Sequence, residues 1–140
     1  MNDLDRGKIH YRDRARQIID FSGLRYGNIT PTDIDGLIEY QNKAVIFLEY
    51  KLDGYDEMPY GQRLAFERIA NDLKEARKEC VVFLCVHTVE DCEKDIDGKN
   101  STVKEIYWHG RWHSKREEPI TVGEQIDKYI EWLNKNGQQK

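Results

Sequence analysis

Polar and apolar residues change period several times along the chain, and each change marks an element. Between Lys8 and Phe21, Ile9, Ala15, Ile18 and Ile19 form a partial helical stripe, with Gly23 where a helix stop is expected. Gly27-Asn28 and Thr30-Pro31-Thr32 read as loop. Residues 33–51 then read as two strands joined by a short polar turn, the second carrying the apolar run Ala44 to Leu48. Asp53-Gly54 and Pro59 mark the exit. A helix is predicted over Tyr60 to Lys78, with Leu64, Ala65, Ile69, Leu73 and Ala76 near helical spacing. Val81 to Val86 is continuously apolar, as expected of an interior, parallel strand buried on both faces. After an acidic, turn-rich segment (Glu90 to Asn100), strands fit Thr102–His109 and Arg111–Ser114, turning near Gly110. Pro119 and Thr121 precede a last helix, Val122 to Lys135, with Ile126, Tyr129, Ile130 and Leu133 on one side.

This order predicts an α/β fold, a mixed β-sheet flanked by helices. The length of 140 residues suits a single domain with a real core. No apolar run approaches the roughly 20 residues of a membrane span, and the N-terminus has no apolar signal-peptide core, so the expectation is a cytoplasmic protein. Cys80, Cys85 and Cys92 are odd in number and lack CxxC spacing, which argues for buried thiols rather than a disulfide framework or, with His87, a zinc cluster.

The hairpin carries the chemistry. A turn centred on Asn42 places Asp35 opposite Glu49 and Asp33 opposite Lys51, and alternation puts all four on one face. Directly opposed like charges are unfavourable on a sheet without a cation or other compensation. The competing reading is a polar strand end whose Glu and Lys neutralise one another. Glu39 shares the face but sits nearer the turn.

Asp35, then Glu49-Tyr50-Lys51 at the end of an apolar strand, then a helix and a buried strand, resemble the PD-(D/E)xK nuclease superfamily over about residues 8–87. Gln62-Arg63-Leu64-Ala65-Phe66 resembles the Q-x-x-x-Y helix motif of its RecB-like and phage-exonuclease branch, with Phe66 where tyrosine is usual. Thr32 stands directly before Asp33, with Pro31 one place earlier than the proline of the family name. The resemblance implies a restriction-endonuclease-like αβββαβ core, here with a C-terminal β-hairpin and helix. It implies a Mg²⁺- or Mn²⁺-dependent nuclease that hydrolyses phosphodiester bonds, on DNA before RNA, of phage or mobile-element origin. Asp35, Glu49 and the Tyr50 carbonyl would hold the ion, with Asp33 the competing aspartate; some relatives add an acidic residue from the first helix, for which Asp20 is the nearest candidate. Lys51 would hold or deprotonate the attacking water, and Gln62 would orient water or phosphate. Many such relatives are homodimers.

The net charge of −4 is awkward for a nucleic-acid protein, so local patches must do the binding. One is Arg6, Lys8, Arg12, Arg14 and Arg16, with His10. A second sets Lys104, Arg111, Lys115 and Arg116 among Tyr107, Trp108, His109, Trp112 and His113. Arg12, Arg16, Arg63, Trp108, Arg111, Trp112 and Lys115 are the expected DNA contacts. The competing reading of the 107–113 hairpin packs one tryptophan on the sheet and the other beneath the last helix. An alternative function is a catalytically silent nuclease fold that binds nucleic acid or a protein, or inhibits one.

Overall fold

The computed structural model describes residues 7–136. The chain divides into two compact units, one ending at Asp33 and one beginning at Ile34. In the first, the described residues hold one short helix, α1 (Arg12–Ala15), and a bridge between Tyr26 and Ile29. The long helix expected over Lys8–Phe21 does not form. Ile9, Ile18 and Ile19 are exposed, Ile18 to 91%, so the stripe buries nothing, and an isolated helix of this length is marginal without packing.

The second unit is α/β. Strands β1 (Gly36–Tyr40) and β2 (Ala44–Leu52) form a hairpin, and helix α2 (Tyr60–Glu75) leads to β3 (Glu79–His87). A second hairpin, β4 (Thr102–Trp108) and β5 (Arg111–Ser114), precedes α3 (Val122–Asn136). The sheet runs β1-β2-β3-β4-β5, parallel between β2 and β3 and antiparallel elsewhere. Two strands, not the three of the expected core, stand between the first helix and α2.

Both hairpin turns place successive residues at positive φ, Gln41 (49°) with Asn42 (60°) and His109 (49°) with Gly110 (87°). Such turns match strand twist and fix register. The β1–β2 loop holds three residues, Gln41 to Lys43, so Tyr40 pairs with Ala44 and Gly36 with Leu48, the register read from the sequence. Thr121 caps α3: its hydroxyl accepts from the Glu124 N–H at 3.2 Å and donates to the Glu124 carboxylate at 2.9 Å.

Alternate residues of β2 serve opposite faces of the sheet. Ala44 and Ile46 join Phe83, Ile106, Tyr129 and Leu133 under α3, while Phe47 joins Phe66, Ala70, Val82 and Leu84 under α2. The buried side of α2 is Gln62, Phe66 and Ala70, with Leu73 of the expected stripe packed beside them and Ile69 of that stripe exposed. The helix is rolled to set Phe66 against Phe47, ring centroids 5.3 Å apart. That roll also carries Gln62 inward.

Candidate active site

Glu49 and Lys51 follow Phe47 on the α2 face of β2 by strand alternation. Asp35 lies one residue before β1, where the pairing register continues to Glu49. Because β1 has ended, its side chain takes over from the ladder: Asp35 Oδ2 accepts the Tyr50 N–H at 2.8 Å. This orients Asp35 without exhausting it, since a carboxylate offers about four lone-pair sites. In an extended strand a residue's N–H and C=O point to the same neighbour. The Tyr50 carbonyl therefore faces the same side as Asp35, past the last β1 pair. The Tyr50 phenol is committed elsewhere, donating to the Gly98 carbonyl at 2.9 Å.

Glu49 is 3% exposed, and its Oε1 meets Lys51 Nζ at 3.2 Å. Its Oε2 is buried with no hydrogen-bond partner. Burial, and then the Asp35 charge, push the Glu49 carboxyl up to about 7 against the downward pull of Lys51. The same burial, with Asp35 and Glu49 nearby, pushes the Cys85 thiol up to about 12, so it stays protonated. An orphaned buried carboxylate oxygen beside a second carboxylate costs stability unless a proton or cation joins them. The oxygen-only donor set of Asp35, Glu49 and the Tyr50 carbonyl suits a hard divalent ion that keeps several waters. Among the described residues no cluster of three or more His, Cys, Asp or Glu side chains is arranged to hold a metal. Any ion here would rest on two carboxylates, a carbonyl and water.

Comparison with family models, curated proteins and solved structures finds no match. The site is therefore read from its own geometry. Gln62 is buried in the first turn of α2, the helix covering the Glu49 face. Asp33 lies outside the strand, in the first unit. Arg12 and Arg16 are exposed in that unit, and Arg6 lies outside the described residues.

The second basic patch is dispersed. Trp112 packs on the α2 face against Tyr107, its indole N–H donates to Glu67 at 2.7 Å, and the Arg63 guanidinium lies 4.2 Å from its ring centre. Arg63 also pairs with Glu105 at 3.1 Å. Trp108 packs on the α3 face, edge-on to Trp132, so the two hairpin tryptophans form no common platform. Arg111 is exposed.

Lys104 is withdrawn from the patch by a β-bulge opposite Leu84 and Cys85, and is 9% exposed. Its Nζ pairs with Asp56 at 2.6 Å, which holds the Asp56 carboxyl below its usual range. Asp56 and Lys104, with Asp53, Lys115 and Arg116, line a cavity of about 370 Å³ beyond the C-terminal end of β2. Strand alternation, which ignores bulges, gave no signal for it.

Proposed function

We propose that the protein is a divalent-metal-dependent nuclease that hydrolyses phosphodiester bonds, with DNA as substrate. The observation that carries this reading is the buried, unpartnered Glu49 Oε2 beside Asp35 with Lys51 at 3.2 Å from the same carboxylate. Asp35, Glu49 and the Tyr50 carbonyl would hold Mg²⁺ or Mn²⁺. When bound, the ion supplies Lewis-acid charge and a more acidic water. Lys51, drawn off Glu49, would orient that water and offset charge building on the phosphate. Gln62 would position water or a phosphate oxygen from α2. Lys115 and Arg116, beyond the end of β2, would steer the substrate backbone. A second copy of the chain would enlarge this small surface.

The alternative, a silent binding module, draws on the four-residue first helix, the two-stranded start of the sheet and the burial of Phe66 where the resembling motif carries tyrosine. Cleavage of linear, nicked, single-stranded and four-way-junction DNA and of RNA, with Mn²⁺ or Mg²⁺, separates the two. Wild type should cut at least one DNA substrate and Lys51→Ala none. A folded, metal-binding wild type that cuts nothing would favour the silent module.

A further inference from the structure

A second cavity, of about 290 Å³, lies on the opposite face of the sheet from Glu49, between β3–β5 and α3. Its walls include Trp108, Tyr129 and Trp132. Trp108 and Trp132 meet edge-on at 5.8 Å, and Tyr129 stacks near Trp132 at 5.9 Å. The charged residues lining it are Lys115 and Lys128, with His113 and Gln125 beside them and no carboxylate in the lining. In a chain of net charge −4 the lining itself carries cations and no carboxylate, while Glu118 and Glu124 line an adjoining cavity with the same Lys115, Gln125 and Lys128. The Tyr129 hydroxyl is buried near Glu79 and Cys80, neither of which lines the cavity, so its ring rather than its hydroxyl serves the wall.

We propose that this cavity binds a nucleotide, with its base among the aromatic rings and its phosphate on Lys115 and Lys128. Aromatic walls favour a flat, apolar body, and stacking on them tolerates any base. The two lysines of the lining favour an anion, and the Gln125 amide offers both a donor and an acceptor for a base edge. The cavity falls at the small end of ligand sites, about 300–1,000 Å³, which suits one base and excludes a duplex. The ligand is thus a free nucleotide or the unpaired end of a strand. The inference uses none of the residues of the metal-type site and stands whether or not that site is active.

Quenching of tryptophan fluorescence in EDTA tests it, because two of the three tryptophans line the cavity. The probes are AMP, adenosine and a 5′-phosphorylated thymidine trinucleotide. AMP or the trinucleotide should quench saturably, and adenosine more weakly. Lys128→Glu, at an exposed position, should bind at least about tenfold more weakly while folding normally. Lys51→Ala should bind as wild type does. Tighter binding of the trinucleotide assigns the cavity to a strand end, and tighter binding of AMP to a free nucleotide. No saturable quenching by either, or equal affinity in Lys128→Glu, overturns the proposal.

Discussion

Glu49 sets the terms at the scale of single residues, because its carboxyl titrates near 7 in the fold against an ordinary 4.5. Between those values the folded chain binds more protons than the unfolded one, so stability falls as pH rises and levels off above about 7. Without metal, stability should drop by about 2 kcal/mol between pH 5 and 8 in denaturant titrations. Glu49→Gln should remove most of that slope and be the more stable protein at pH 8. A slope unchanged in the variant would place the titration elsewhere. Phe66 marks the main departure from the resembling helix motif, and its ring is fully buried against Phe47. Phe66→Tyr should therefore cost about 1–3 kcal/mol, by burying a hydroxyl with no established partner, and raise cleavage no further than wild type. Thermal melts and a cleavage assay check both halves. Asp35 and Glu49 were legible as an opposed pair because a turn centred on Asn42 fixes the register. The bond from the Tyr50 N–H to Asp35 was not, since it exists only because β1 stops one residue short.

Among elements, those with strong periodicity were legible: the hairpin, α2, the buried parallel β3, the β4–β5 pair and α3 formed close to their expected bounds. Periodicity alone did not give the roll of α2, which depends on the Phe47 ring presented by the sheet. Nor did it give the Lys104 bulge, where one extra residue redirects a lysine from solvent to Asp56. The Trp-rich hairpin has a periodicity that fits an exposed platform and a two-faced packing element equally well. Contacts with α2 and α3 decide for packing. Trp112 holds Arg63, Glu67 and Tyr107 together, so Trp112→Ala should cost about 2–3 kcal/mol and loosen the sheet against α2. Chemical denaturation measures this. Arg111→Ala, at the exposed start of β5, should leave stability within about 0.5 kcal/mol of wild type. Any loss of DNA binding in Arg111→Ala would then belong to the contact itself.

For the whole molecule, the buried hydrophobic core among the described residues begins at Ala44 and draws nothing from the first unit. The failed helix of that unit shows the limit of reading a stripe by spacing alone: isoleucines at helical intervals matter only where another surface covers them. Deleting residues 1–30 should leave one cooperative unfolding transition, with far-ultraviolet circular dichroism changed only by the missing segment. A collapse of cooperativity would contradict this. At the same scale, the proposed action of an acidic chain on a polyanion requires that repulsion be offset locally. The metal-type site and the Lys115 and Arg116 cavity lie toward the C-terminal ends of the parallel strands, where α/β sheets place their ligands.

Calorimetric titration of Mn²⁺ into wild type, Asp35→Asn and Glu49→Gln at pH 7.5 tests the central claim most directly. The Asp35–Glu49 pair predicts saturable binding to wild type, strengthening as pH rises toward about 7 because the ion displaces the Glu49 proton. Each substitution should abolish that binding while leaving the fold intact. A wild type that binds no Mn²⁺, or variants that bind it equally well, would mean the two carboxylates share only a proton and the site is a polar sheet end.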